Sequence, residues 1–340
     1  MRYIIPTDTS IKEALALLES NDTQTLFVTD GEGRMKGSLS DGDVRRGMLA
    51  GAGIDDPVSD VMHKDFKFLT QSGFDVSLIR SYREKRIFLI PVLDTDGRIV
   101  DTVNLLKYRS RLPVDAVLMA GGKGERLRPL TEQTPKPLLP VGGKAIIDHN
   151  VDRLISFGIR DISVTVHYLA GQIERHFETP RDGVQVRCCR EADYLGTIGS
   201  LRLVPGFPDE TVLVMNSDLF TNIDFEDFYL HFKEHDADLS VAAVPYNVSI
   251  PYGILDLDGR DVKGIIEKPV FNYYAGAGIY LMKREVVGEI PEGRLFHATD
   301  LIQKLADEGR KVIRYPLNGT WIDIGSFKEY QKACDLIKHL

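Results

Sequence analysis

Cysteine is scarce in this 340-residue chain, which holds only Cys188, Cys189 and Cys334. Three thiols, two of them adjacent, make no disulfide framework, because bridging neighbours strains the backbone. A reducing compartment, the cytoplasm, is therefore expected. Positive charge is in deficit, with 42 Lys and Arg against 50 Asp and Glu and a formal net charge of -8. That excludes a general nucleic-acid binder, whose affinity comes from a basic surface displacing counterions. No apolar run approaches the roughly 20 residues of a membrane span, and the opening "MRYIIPTDTS" has no apolar signal-peptide core. Neither nucleic acid nor membrane is expected as a partner, and no long low-complexity tract is present. What remains is a folded composition, 43% hydrophobic and 27% charged, in a chain too long for one ordinary core. Two domains are expected.

An internal repeat organises the first part. "VTDGEGRMKGSLSDGDV" (28–44) aligns with "VLDTDGRIVDTVNLLKY" (92–108), and upstream Ile11, Ala14 and Leu15 fall opposite Asp75, Leu78 and Ile79. Each unit reads as helix, strand, Asp/Gly turn, strand, helix. Two such units imply apolar faces buried against each other. Residues 1–110 resemble a tandem pair of CBS domains, modules named after cystathionine β-synthase, an α+β regulatory unit. The resemblance implies an adenosine-nucleotide site in which Ser40 and Asp43 hold the ribose. The second repeat departs from it, with Asn104 and Lys107 at those places, and a lysine cannot accept hydrogen bonds from ribose hydroxyls. The plain alternative is a structural or dimerising module in which Asp41 and Asp43 cap the next helix; a homo-oligomer is expected.

After the polar linker around Arg109, Arg111 and Pro113 the pattern changes. "DAVLMA" is a continuous apolar run such as a buried parallel strand shows. Helix-like "AIIDHNVDRLISFGI", strand-like "DISVTVH", helix-like "YLAGQIERHFE", and strand-like "VQVRCC" and "TVLVMNSD" then alternate. Alternation of this kind predicts an α/β, Rossmann-like domain over 114–340 with a mostly parallel mixed sheet. Ligands of such sheets bind at the carboxyl ends of the strands. The stretch "AGGKGERLRPLTEQTPKPLLPV" follows one such end, and Asp218 follows another.

That stretch combines glycines, which let backbone N–H groups approach an anion, with cations and stiffening prolines. It fits neither common nucleotide fingerprint: no Gly-Lys-Ser/Thr follows, and Leu127 stands where a dinucleotide loop needs Gly or Ala. A hydride-transferring enzyme is thereby excluded, and a phosphate loop of another kind remains. The stretch as a whole resembles the signature of the sugar-1-phosphate nucleotidylyltransferases, the family of mannose-1-phosphate guanylyltransferase and glucose-1-phosphate thymidylyltransferase. "EADYLGTIGSL", "NSDLF", "IIEKP" and "GTWIDIGSFKEY" follow in the family's order over roughly residues 115–335.

The resemblance implies attack by a sugar 1-phosphate oxygen on the α-phosphorus of a nucleoside triphosphate, with release of pyrophosphate. It places Ala120, Gly121, Gly122 and Gly124 at the nucleotide phosphates, and Glu191, Asp193, Gly196 and Thr197 around base and ribose. Arg126 would neutralise the leaving pyrophosphate and Lys136 the α-phosphate. Glu267, Lys268 and Gly278 would meet the sugar phosphate, while Asp218 and Asp323 would hold Mg²⁺, a hard cation suited to carboxylate and phosphate oxygens. Glu191 and Asp193 could accept the paired donors of guanine, which favours GTP over the uridylyl, thymidylyl, cytidylyl and adenylyl alternatives. The implied product is a surface-glycan precursor made from mannose or hexosamine 1-phosphate. One departure stands out: Gly276, in "GAGIY", replaces the family's Asn on the sugar side. A nucleotide-sensing regulatory protein without turnover stays open as the alternative.

Overall fold

In the computed structural model, which describes residues 3–71 and 75–338, the internal repeat becomes two three-stranded sheets of one design. The first holds β1 (Ile4–Pro6), α1 (Ile11–Glu19), β2 (Thr25–Thr29), β3 (Met35–Ser40) and α2 (Asp41–Leu49). The second holds β4 (Leu69–Thr70), α3 (Val76–Glu84), β5 (Leu89–Leu93) and β6 (Ile99–Asn104). In each, a short first strand runs parallel to the second, and the second and third form an antiparallel hairpin. Phe27 and Met35 of one repeat share a buried cluster with Leu89 and Leu93 of the other, as an apolar face that cannot be covered within one repeat requires.

Two details differ from the sequence alignment. Ser10 and Asp75 are the N-caps of α1 and α3, so Ile11 corresponds to Val76 and Ala14 to Ile79, one residue later than the strands align. The cause is the loop after the helix, 85–88 in the second repeat against 20–24 in the first. The second repeat also lacks its closing helix. The Asn104 side-chain oxygen accepts from the backbone N–H groups of Leu106 and Lys107 at 2.9 and 3.3 Å, which favours a turn over a helix.

Met1–Pro113, with Ser156–Gly158, forms one compact unit; Val114–Ile155 and Ile159–Leu340 form the other. The second unit runs β7 (Asp115–Ala120), α4 (Leu130–Gln133), β8 (Pro140–Val141), β9 (Lys144–Ala145), α5 (Ile146–Ser156), β10 (Ile162–Val166), α6 (Ala170–His176), β11 (Arg187–Arg190), β12 (Thr211–Asn216) and β13 (Leu219–Thr221). It continues with α7 (Phe225–Glu234), β14 (Leu239–Ser249), β15 (Ile254–Asp258), β16 (Asp261–Ile266), β17 (Val270–Lys283), α8 (Ala298–Asp307), β18 (Val312–Pro316), β19 (Trp321–Asp323) and α9 (Phe327–Ile337). Its main sheet has the order β11-β10-β7-β12-β17-β14-β18. Only β17 runs antiparallel to its neighbours, so the sheet is mixed and mostly parallel, as its apolar runs predict. Ala116, Val117, Leu118, Ile162, Val164 and Val212 are buried, which is why these strands read as unbroken apolar segments.

All three cysteines are free thiols. Among the described residues no helix is long and apolar enough to cross a membrane.

Candidate active site

The carboxyl ends of β7, β10 and β12 open into a cleft of about 740 Å³. Its walls include Ala120, Gly121, Gly122, Gly124, Arg126, Lys136, Glu191, Gly196, Thr197 and Asp218, all of them expected from the sequence. The glycine loop leaves β7 without secondary structure and tightens into a single 3-10 turn at Glu125–Leu127. Gly124 has φ +62°, and a Cβ there would stand 3.0 Å from the Lys136 Cβ. Only glycine allows the loop to lie on the lysine stem.

Lys136 is 7% exposed and pairs through its ammonium with the Asp218 carboxylate. A lysine this buried needs a counter-charge, and the prolines on either side fix where it emerges. Asp218 follows β12, and β13 pairs with β19 so that Leu219 faces Asp323. The Asp218 carbonyl accepts from the Ile324 N–H at 3.2 Å. Asp323 thus comes beside Asp218. Its pKa is pushed up first by burial and then by the charge of Asp218, while Lys136 and Arg126 oppose the rise. Arg126 lies over Gly325, its guanidinium 3.2 Å from where a Cβ would be. Two carboxylates and two cations from four separate segments therefore meet at one end of the sheet.

At the far wall Glu191 is 4% exposed. Its Oε2 accepts from the Leu195 N–H at 3.0 Å and its Oε1 faces Gly121. Burial raises its pKa, against the Leu195 hydrogen bond and His167. The turn that follows is clasped from behind. Phe296 N–H donates to the Leu195 carbonyl at 2.9 Å, and Ile198 and Gly199 N–H both donate to the Phe296 carbonyl at 3.2 Å. The Thr197 hydroxyl accepts from the Ala298 N–H at 2.8 Å. Thr197 lines the cleft, but its hydroxyl is committed to the first turn of α8.

Besides Asp323, which stands beside Asp218, six expected positions lie outside the cleft wall. Asp193 is exposed and outside the cleft wall, because the turn that buries Glu191 and Leu195 bulges outward between them. Glu267 and Lys268 are exposed beyond β16, on an arm where β14 and β17 stay paired as far as Ser249 and Val270; neither lines the cleft. Gly278 is buried against the amide of Asn216, itself a cleft residue. In the other unit Ser40 and Asp43 form a capping box at the start of α2. Both Asp43 oxygens are engaged internally, Oδ2 by the Ser40 N–H and hydroxyl at 2.8 and 2.6 Å and Oδ1 by Arg46 at 2.5 Å. The capping expected of Asp41 and Asp43 is made instead by Ser40 as N-cap with Asp43 as its partner, and Asp41 sits in the first turn of α2.

The cleft also holds residues the sequence reading passed over: Thr165, His167, Tyr194, Ser200, Asn216 and Ser217. His167 and Asn216 sit at strand ends, where the rule for parallel sheets places ligands. The Ser200 hydroxyl donates to that of Thr165 at 3.0 Å, and both residues are buried.

Residues 115–339 match the nucleotidyl transferase family model, and residues 3–50 match that of the CBS domain. Among curated relatives, a mannose-1-phosphate guanylyltransferase catalytic subunit beta of Drosophila pseudoobscura pseudoobscura is 30% identical over 224 residues, 63% of this chain and 60% of its own length. A mannose-1-phosphate guanylyltransferase of Mycobacterium tuberculosis is 30% identical over 234 residues, 66% of this chain and 65% of its own. The chain thus spans less than two thirds of either relative. A crystal structure from Bacillus anthracis, of a protein provisionally named a glucose-1-phosphate thymidylyltransferase and solved with sucrose, aligns at 26% identity with a TM-score of 0.54. That alignment covers 67% of this chain and 96% of the other.

Proposed function

From residue 115 to residue 339 the chain belongs to the nucleotidyl transferase family, and on that premise we propose that it is a sugar-1-phosphate nucleotidylyltransferase. In the proposed reaction an oxygen of the sugar phosphate bonds to the α-phosphorus of a nucleoside triphosphate. The bond from that phosphorus to the bridging oxygen breaks, and pyrophosphate leaves. The attacking phosphate has a second pKa of ~6 and is already ionised at neutral pH, so no strong base is needed. The difficulty is electrostatic, because two anions must meet and the developing charge must be spread.

One observation carries the reading: Asp218, Asp323, Lys136 and Arg126 converge beside a glycine loop at the strand ends. Lys136 is set to meet the α-phosphate and Arg126 the leaving pyrophosphate. Burial first and the charge of Asp218 second raise the pKa of Asp323, and a dication would offset both. Mg²⁺ takes one or two carboxylates and fills its remaining positions with phosphate oxygens and water, so this donor set fits. Bound there, it would supply Lewis acidity to the phosphate oxygens.

GTP is the favoured nucleotide. Glu191 can present Oε1 to guanine donors without the help of Asp193, and the relatives named as guanylyltransferases point the same way. Gly276 leaves open room on the sugar side: a Cβ there would touch only Val241, at 3.7 Å. That suits mannose or hexosamine 1-phosphate without a fixed amide contact. The CBS unit would regulate, through an adenosine nucleotide or through self-association. A second reading, a nucleotide sensor without turnover, draws on the exposure of Glu267 and Lys268 away from the cleft. Pyrophosphate release, assayed with four nucleoside triphosphates against several sugar 1-phosphates, separates the two. The enzyme reading expects release with GTP; tight nucleotide binding without release from any pair would leave the sensor.

A further inference from the structure

The apolar stripe of α5 is interrupted. Ile146, Ile147, Val151 and Leu154 have no measurable exposure, and on the same face Asn150 is 2% exposed. A primary amide in such surroundings is costly unless its hydrogen bonds are made. The Asn150 Nδ2 donates to the carbonyl of Ser217 at 3.2 Å and to that of Leu219 at 2.9 Å. These are the residues on either side of Asp218. From the β7 side, Ser217 donates its N–H and hydroxyl to the Met119 carbonyl at 3.1 and 2.7 Å. From the β19 side, Ile324 N–H donates to the Asp218 carbonyl at 3.2 Å. The backbone that carries Asp218 is thus held from three directions, and among the described residues the Asn150 side chain grips it on both flanks.

We propose that Asn150 is a positioning residue that aims the Asp218 carboxylate toward Asp323, and that it acts on cation binding at this pair rather than on nucleotide binding in general. The inference rests on the reading of Asp218 and Asp323 as the cation site. Its physical basis is that groups orienting a ligand's own backbone or side chain set how well the ligand meets a metal.

The test uses the full chain, GTP without sugar phosphate so that no turnover intrudes, and Mn²⁺ as the probe cation. Calorimetry gives the affinity for GTP with and without Mn²⁺, and the ratio measures the coupling between them. In Asn150→Leu the coupling is expected to fall about tenfold while metal-free GTP affinity stays within about twofold of wild type. Unchanged coupling, or an equal loss in both affinities, overturns the proposal. Should Asn150→Leu fail to fold, Asn150→Ser is measured instead; its hydroxyl can reach one carbonyl at most, and it is expected to fall between wild type and a tenfold loss, with no loss again contrary. Asp218→Asn separates the two levels. Coupling retained in Asp218→Asn defeats the cation site itself. Coupling lost there but kept in the Asn150 variants defeats only the positioning role.

Discussion

At the level of single residues, charge and burial decide what each side chain can do. Lys136 has almost no contact with solvent and one anionic partner, so its charge is directed into the cleft and nowhere else. Asp218 is shared between that lysine and the neighbouring Asp323. Asp218→Asn removes one of the two carboxylates and is expected to lower kcat on the order of a hundredfold or more. Because the same carboxylate is the counter-charge of buried Lys136, melting temperature should fall as well. A near-normal rate with an unaltered Mg²⁺ requirement, measured by pyrophosphate release, would exclude the assigned role. Arg126, Lys136 and Asp218 were legible because each lies in or just after a strand-end motif whose residue types match phosphate chemistry. Asn150 was not, since it reads as one polar residue inside an amphipathic helix and its partners are backbone carbonyls far along the chain. Asp193 misled for the converse reason. Two acids so close in sequence look like a pair, yet the turn between Glu191 and Leu195 sends one inward and the other out.

At the level of elements, the turn after Glu191 on the far wall of the cleft and the start of α8 stabilise each other. Thr197→Val keeps the shape of the side chain but removes the acceptor for the Ala298 N–H. The expected cost is that of a lost helix cap, about 1 kcal/mol, or a drop of roughly 2–4 °C in melting temperature for a unit this size. A weaker affinity for GTP should accompany it; unchanged melting and binding would show that the clasp is incidental. At the opposite end of β7, Asp115 is 3% exposed, and one of its oxygens lacks a partner among the described residues. Burial, followed by the charges of Asp209 and Asp161, pushes its pKa up to about 7. A value raised by folding stabilises the native state below the unfolded carboxylate pKa of ~4, and that contribution fades as pH climbs through about 7. Asparagine mimics the protonated acid. The melting temperature of Asp115→Asn should therefore gain on wild type between pH 5 and pH 8, whereas a constant difference would contradict the assignment. Most element types were readable from apolar runs and helical periodicity, the exception being the closing helix of the second repeat, which is a turn. Their exact registers were not, because a loop shortened by one residue in the second repeat leaves no trace in the hydrophobic pattern.

At the level of the molecule, every wall of the cleft comes from the second unit, between Met119 and Asp218. Removing residues 1–113 is expected to leave turnover measurable while altering self-association or the response to adenosine nucleotides. A truncated chain identical to the intact one in turnover, sedimentation and nucleotide response would deny the N-terminal unit a regulatory part. The alternation of strands and helices disclosed the mostly parallel sheet. It could not disclose that β17 enters between β12 and β14, since the buried stretch of β17 from Ala277 to Met282 carries no mark of its direction. The central claim is transfer of the α-phosphate at the junction of Asp218, Asp323, Lys136 and Arg126. The most direct measurement incubates the full chain with Mg²⁺, mannose 1-phosphate or glucosamine 1-phosphate, and GTP labelled at the α-phosphate, and follows the label. The account predicts label in a GDP-sugar with one pyrophosphate released per transfer, and loss of that transfer in Asp218→Asn. Label that stays in GTP, or transfer that survives in Asp218→Asn at the wild-type rate, would contradict it.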